Sequence, residues 1–410
     1  MSQGHPGEST HVSPASTAQS IPGAGTFHVT AQERIVYGRP AEEAVVAEVE
    51  RCGARRVLVT STRSLTRLEN GPLQRVEEAL GPRHVGTYAS IRSHSPREDV
   101  VAGASAARAA GADLMVAIGG GSVIDATKAM LLCLWHGLDA VEAMEPYRSG
   151  FERGYNPTIV PPAEPVRMIS VSTTLSASEF TDSAGVTHSA TNTKQSFRHR
   201  LMVPRCVILD PSATLSTPEW LLLCTGIRAV DHAAEGYCSP RASLVTEALS
   251  LLGLRLLSRA LSAIKRSPSD LAPRLEAQIG MWQAIAPLAA GVPTGASHGI
   301  GYVLGSTFGV PHGHTSCVML PAVLRWNAAV NGGRQEALSE AMGAPGRPAW
   351  ELVKEVIAGL GQPVSLRAVG LKREDLGEVA RRALNYHPVK VNPRPVASAA
   401  DVTEILGLAW

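Results

Sequence analysis

Histidines set among small residues, one of them sharing a helix face with an arginine, are the side chains of this sequence best placed to do chemistry. They fall in two stretches. One is Gly226-Ile227-Arg228-Ala229-Val230-Asp231-His232-Ala233-Ala234-Glu235. The other is Ser297-His298-Gly299-Ile300-Gly301-Tyr302, running on to Pro311-His312-Gly313-His314-Thr315. Arg228 and His232 are four apart, so a helix puts them on one face. A lone histidine is ordinarily a satisfied core residue. His232, His298 and His312 together suggest one site in a cleft. Arg228 offers a fixed positive charge against a developing oxyanion or a planar fork for a substrate carboxylate. Alternatively it pairs structurally with Asp231 or Glu235.

A second constellation reads as an anion cradle. Ile118 to Lys128, Ile-Gly-Gly-Gly-Ser-Val-Ile-Asp-Ala-Thr-Lys, joins an apolar strand to a helix. Gly119, Gly120 and Gly121 carry no β-carbon to hold a phosphate off the main chain, and the helix that starts at Ser122 offers unpaired N–H groups and a positive dipole end. Asp125 and Lys128 follow closely enough to face the same ligand. The spacing is neither that of a P-loop nor Gly-x-Gly-x-x-Gly, and a tight turn without a ligand is the competing explanation.

Two hydroxyl-rich stretches belong beside it. Ser172 to Glu179 (Ser-Thr-Thr-Leu-Ser-Ala-Ser-Glu) ends another strand. Its Thr173, Thr174 and Ser178 suit phosphate, ribose or a nicotinamide amide, or else satisfy the turn's own backbone. After the strand ending at Thr60, the run Ser61-Thr62-Arg63 lacks the acid that would hold the ribose hydroxyls of NAD. Ser61 and Arg63 accommodate a ribose phosphate there, so NADPH is expected as readily as NADH.

These groups need a scaffold, and the pattern of the chain supplies one. Residues 1–26, rich in Ser, Gly, Pro and Thr, are expected to form a disordered tail. From Phe27 the sequence alternates short apolar strands with amphipathic helices. Strands are expected at Arg34–Tyr37, Arg56–Thr60, around His84–Tyr88, at Asp113–Ile118, Met168–Val171 and Cys206–Leu209. Helices are expected at Glu42–Cys52, Leu73–Leu80 and Pro96–Ala110, the last with Ser95 as cap and Glu98 completing a capping box. The polar segment from about Asp182 to Arg200 reads as a hairpin or loop. Alternation of this kind predicts an α/β amino-terminal domain with a parallel sheet over residues 27–211, whose ligands bind beyond the carboxyl ends of the strands. After Pro211 long helical periods take over, including Leu244–Ile264 and Leu271–Ala290, so residues 212–410 are expected to form an all-helical carboxyl-terminal domain.

Bulk properties narrow the partners. The 410 residues carry a formal net charge of +2, with no basic stripe, so no nucleic acid is expected. No apolar run is long enough for a bilayer and no signal layout opens the chain. Six scattered cysteines without a C-x-x-C pair fit a reducing cytoplasm. The expected partner is a small-molecule substrate.

Five motifs in order give the sequence a resemblance. The Gly-Gly-Gly-Ser-x-x-Asp-x-x-Lys turn, Asp210-Pro211, the Gly-x-x-Ala-x-x-His-x-x-Glu helix, the His298–His312 pair and the terminal Asn392-Pro393-Arg394-Pro395 resemble the iron-containing (group III) alcohol dehydrogenases. The resemblance covers about Gln32 to the carboxyl terminus. It implies a dinucleotide-binding domain followed by a helical domain, the architecture also found in dehydroquinate synthase, with NAD(P)H in the cleft between them and often a homodimer. It also implies that His232, His298 and His312 align with divalent-metal ligands of metal-using members. Here the family's aspartate position holds Arg228, and Tyr302 stands where a further histidine is usual. The short hydroxyl run Ser172 to Glu179 and the lost aspartate both look more like the maleylacetate reductase branch, which is generally regarded as working without metal. The alignment further implies that one of the three histidines or Tyr302 supplies the proton that accompanies hydride transfer. A guanidinium about 4 Å from a dication is repelled by about 8 kcal/mol at an effective dielectric of roughly 20. No metal is therefore expected, unless the long side chain swings away to pair with Asp231 or Glu235 and leaves the three histidines free for zinc. The implied activity is NAD(P)H-dependent carbonyl reduction on a polar or carboxylated substrate, and the alternative is a lyase, isomerase or cyclase reusing the cleft.

Overall fold

The computed structural model describes residues 26–150, 154–191 and 193–410. All of the expected tail except its last residue lies outside the described residues. The amino-terminal half alternates as the sequence pattern dictates: β1 (Arg34–Tyr37), α1 (Ala41–Arg51), β2 (Val57–Thr60), α2 (Pro72–Leu80), β3 (His84–Tyr88), α3 (Arg97–Ala109), β4 (Leu114–Gly119), α4 (Gly121–His136) and β5 (Arg167–Ser172). An antiparallel hairpin, β6 (Ser183–His188) and β7 (Thr193–Arg198), precedes β8 (Cys206–Leu209).

Six strands form one parallel sheet in the order β1-β8-β5-β4-β2-β3. The chain leaves β2 toward β3 and leaves β4 toward β5, in opposite directions, which opens a crevice at the carboxyl ends of these strands. β2, β4 and β8 are buried along their whole length, and this explains why they read as unbroken apolar runs rather than alternating ones. Two apolar layers cover the sheet. Val45, Val49, Leu73 and Val76 pack on one face, and Val100, Ile124, Met130 and Leu131 on the other.

One expected helix start is corrected. α3 begins at Arg97 with Pro96 as its cap and no side-chain capping bond. Ser95 sits at φ +53° and its hydroxyl donates to the Ser122 carbonyl 2.8 Å away, while Glu98 accepts from Ser189. A contact with a distant helix has overridden the local capping signal.

The carboxyl-terminal half is helical: α5 (Glu219–Cys238), α6 (Leu244–Arg266), α7 (Leu271–Ala289), α8 (Ala296–Phe308), α9 (His312–Ala341), α10 (Ala349–Gly359), α11 (Leu376–Ala383), α12 (His387–Lys390) and α13 (Ala399–Leu408). α5 is buried almost throughout, surrounded by α6, α7 and α9. α7 and α9 carry Pro287 and Pro321 in their interiors. Asn392 of the terminal Asn-Pro-Arg-Pro segment is buried, accepts from the Ala296 N–H and pairs with Asn327, so it fastens the start of α8. Among the described residues no helix is long and apolar enough to cross a membrane.

Candidate active site

β4 and β5 are neighbours with Gly119 opposite Ser172, and the Thr173 N–H extends the pairing to the Gly119 carbonyl at 3.1 Å. That register places the glycine turn and the hydroxyl run side by side. α4 starts at once, with Gly120 as its cap residue, so its first N–H groups face the same groove. The contact is close. A β-carbon on Gly120 would lie 2.8 Å from Thr174 Cγ2, and one on Gly121 would lie 2.9 Å from Ser176 Oγ. The glycines thus allow the hydroxyl loop to close on the turn and leave main-chain donors uncovered, an arrangement that fits the pyrophosphate of a dinucleotide.

Asp125 projects from α4 and ties two elements together. One oxygen accepts from the Ser178 hydroxyl and the other from the Gly185 N–H at 3.1 Å. Both Asp125 and Ser178 line a cleft of about 690 Å³ between the α/β half and the helical half. From the helical side the cleft receives His232, Tyr302 and His312, and from the hairpin Lys194 and Arg198.

The three histidines and the tyrosine do come together, and the two stretches that carry them are brought into one place by α5, α8 and the start of α9. The His232 and His298 rings lie 4.9 Å apart. The His298 ring meets Tyr302 edge-on at 6.5 Å. Tyr302 in turn lies parallel to His312 at 6.3 Å. Of the four, His232, Tyr302 and His312 reach the cleft, while His298 is 1% exposed.

His298 is oriented from behind. Its Nδ1 lies 2.7 Å from Glu235 Oε2, and Glu235 also accepts the N–H groups of Gly295 and Ser297 at 2.8 Å each. One carboxylate therefore caps α8 and fixes the imidazole. His298 Nε2 and His232 Nδ1 are buried without a hydrogen-bond partner among the described residues. These atoms are available to a ligand oxygen or a water.

The electrostatics keep the imidazoles neutral. Burial, with the Arg228 charge behind it, pushes His298 down to about 3. Burial first, then His298 and Arg228, hold His232 well below the ordinary range. For His312 the Arg228 guanidinium is the leading cause and burial the second. Burial raises Tyr302, with Arg228 opposing, so the phenol keeps its proton at neutral pH.

Arg228 is not where direct contact with a substrate would put it. It is 4% exposed and lies behind the cleft wall. Nη1 donates to Ser316 Oγ at 2.9 Å, Ser316 donates to Asp231 Oδ2 at 2.6 Å, and Nη1 itself is 3.9 Å from that oxygen. The alternative pairing with Asp231 is the one the fold adopts, partly through Ser316. The guanidinium carbon stays 6.0 Å from the Tyr302 ring, so its charge reaches the cleft although its donors do not.

The residues that could share a divalent cation lie beside a fixed positive charge. Among the described residues the His, Cys, Asp or Glu atoms close enough to share an ion belong to Asp231, Glu235 and His298, within 4.8 Å of one another. Asp231 Oδ2 accepts from Ser297 and Ser316, and the Glu235 carboxylate is engaged by Gly295, Ser297 and His298. Asp231 Oδ1 and His298 Nε2, by contrast, have no hydrogen-bond partner among the described residues, and Arg228 already supplies a positive charge beside the group.

Two expected cofactor contacts are corrected. The Lys128 ammonium is fully buried and donates to the Ser178 and Ser183 carbonyls and the Thr181 hydroxyl, so it anchors the loop that leads into the hairpin. Ser61 is likewise buried, its hydroxyl donating to the Ile118 carbonyl at 2.9 Å. Thr173 and Thr174 stay at the edge of the glycine turn, with the Thr174 hydroxyl bonded to Ser176.

Lys194 is a residue the sequence reading passed over. It is exposed to the cleft yet hemmed in by protein, which lowers its pKa, and its ammonium has no hydrogen-bond partner among the described residues. Lys194, Ser196 and Arg198 alternate along β7 and all reach the cleft. That period of two was the available signal.

The comparisons agree with this architecture. The sequence profile of the iron-containing alcohol dehydrogenases matches residues 32–211, and that of the carboxyl-terminal domain of the same family matches residues 222–410. The chain is 33% identical over 377 residues to dehydrogenase ALT3 of Alternaria alternata, covering 83% of this chain and 95% of the relative. It is 32% identical over 364 residues to a maleylacetate reductase of Burkholderia cepacia, covering 88% and 92%. The crystal structure of maleylacetate reductase from a Rhizobium species superimposes with a TM-score of 0.78 at 27% identity, covering 94% of this chain and 98% of that one.

Proposed function

Because the chain belongs to the iron-containing alcohol dehydrogenase family and is an NAD(P)-dependent oxidoreductase of its maleylacetate reductase-like branch, we propose that it reduces a carbonyl compound without a metal ion, on a polar or carboxylated substrate. One observation carries the reading. At the position where the resemblance puts an aspartate in metal-using relatives, this chain carries a cation, the Arg228 guanidinium fixed by Ser316 and Asp231 beside Tyr302.

A bound reduced nicotinamide supplies the hydride. The residues of the chain do the rest. The turn Gly119–Ser122 and the loop Thr173–Ser178 hold the dinucleotide at the end of β4, with Asp125 keeping the hairpin closed over it. Tyr302 lines the cleft with its proton in place, and donates it to the carbonyl oxygen as negative charge builds there. His312 and His232, held neutral, offer hydrogen bonds to the same oxygen without competing as acids. Arg228 contributes its field through the ring of Tyr302. Lys194 on the hairpin wall, whose ammonium has no hydrogen-bond partner among the described residues, receives a substrate carboxylate.

The test follows a labelled hydride. NAD(P)H carrying deuterium at the nicotinamide C4 is incubated with candidate carbonyl acids, and the alcohol product is examined by mass. Deuterium in the product together with loss of reduced-nicotinamide absorbance is the expected result. Product formation with no loss of that absorbance would point to a non-redox reaction in the same cleft and overturn the proposal.

A further inference from the structure

Ile285, Leu288 and Ala289 fall at i, i+3 and i+4 on α7 and so share one helix face. All three line the cleft, joined by Pro293 from the turn that follows. Neither the cofactor contacts nor the proton donors described above use this face. The opposite wall, with Ser183, Lys194, Ser196 and Arg198, is polar and is the side on which ribose, phosphate and carboxylate groups find partners. Pro293 and Thr294 lead from the apolar face directly into α8, which carries Tyr302. A cleft of about 690 Å³ lies in the size range of pockets that enclose a whole organic ligand rather than a few atoms of one.

We propose that this α7 face is a subsite for an apolar tail, so that the substrates are amphipathic carbonyl compounds. The carbonyl lies at Tyr302, a hydrocarbon segment lies on Ile285, Leu288, Ala289 and Pro293, and any carboxylate turns to Lys194. The inference rests on the carbonyl-reductase reading and names its substrate class. The helix rises about 6 Å between Ile285 and Ala289, room for a tail of about five carbons. Burying a methylene there strengthens binding about fourfold, from the transfer free energy of one such group.

Straight-chain carboxylates from butanoate to decanoate test this, because they present an anion and a tail but cannot be reduced, which separates binding from turnover. Each is titrated calorimetrically into the wild-type protein and into Ala289→Phe, which fills the face, and Ala289→Asp, which makes it polar. The expected Kd falls about fourfold per methylene and levels off after about five. Both variants flatten that series while the Kd for the reduced cofactor stays within about twofold. Affinity indifferent to tail length overturns the subsite. So does a variant that loses cofactor affinity as steeply as it loses the long acids, since the face would then belong to the nicotinamide. Length-dependent binding with no oxidation of NAD(P)H by any carbonyl compound leaves the subsite standing and removes the reductase reading instead.

Discussion

Replacing Gly120 by valine is the sharpest probe of the cofactor cradle. Its backbone angles are ordinary for any residue, φ −87° and ψ −172°, so the perturbation acts through space rather than strain. The first added carbon would lie 2.8 Å from Thr174 Cγ2 and 3.1 Å from its Oγ1, against ordinary contacts nearer 3.4–4 Å. Valine adds two further methyl groups, so the hydroxyl loop must move away from the turn. Overpacking of that kind costs about 1–3 kcal/mol of stability, a loss a domain of this size tolerates. The cofactor loses more. Two charge-assisted bonds from main-chain N–H groups to a phosphate are worth about 3–6 kcal/mol together, which weakens nicotinamide binding about a hundredfold to ten-thousandfold. Quenching of tryptophan fluorescence on titration with NADH and NADPH measures this, with thermal unfolding as the check on the fold. Because the clash is with one methyl group, Thr174→Ser should recover much of the affinity lost by the milder Gly120→Ala, a coupling that a double-mutant cycle reads directly. A folded Gly120→Val protein with wild-type cofactor affinity would refute the assignment of the turn.

Tyr302→Phe removes the proposed proton donor and should lower kcat about a hundredfold to ten-thousandfold with cofactor affinity unchanged; equal kcat values would hand the proton to another group. Arg228→Asp exchanges the internal cation for the carboxylate of metal-using relatives, and should create stoichiometric binding of zinc or iron that elemental analysis detects, with the wild type expected to bind neither. Burial raises the Glu179 carboxyl from its ordinary 4.5 to about 7, so the folded protein holds a proton there that the unfolded chain releases. Stability should therefore fall as pH rises from about 4.5 to about 7, by up to about 3 kcal/mol. Glu179→Gln should flatten that decline in denaturant midpoints measured across the window.

Much of the scaffold was legible because local chemistry and burial agree. β1, β3 and β8 lie where short apolar runs between turn residues put them. The histidine stretches stood out because glycines and alanines around them leave room for a ligand. Four features depend on groups remote in sequence, and no local pattern shows such groups. Arg228 is turned by Ser316, 88 positions away. Lys128 lies on the helix that opens at the glycine turn, but the loop around Ser178 to Ser183 folds over it and consumes its ammonium. Ser61 looks free in a strand-end hydroxyl run until β4 arrives alongside with the Ile118 carbonyl. Ser95 is a good cap by type, yet its left-handed backbone and its bond to Ser122 remove it from α3. Arg228 is the instructive case. Its place on the helix face was legible, but its partners were not, because a buried arginine takes the nearest carboxylate and hydroxyl it can find.

The most direct test of the account is activity against metal content in one sample. The purified protein is analysed for zinc, iron and other divalent metals, treated with a strong chelator, and assayed for carbonyl-dependent NAD(P)H oxidation before and after. The proposed metal-free reduction predicts metal far below one ion per chain and a rate that chelation leaves unchanged, with Arg228 as the positive charge beside Tyr302. Stoichiometric metal that leaves with the activity, and restores it when returned, would contradict that claim.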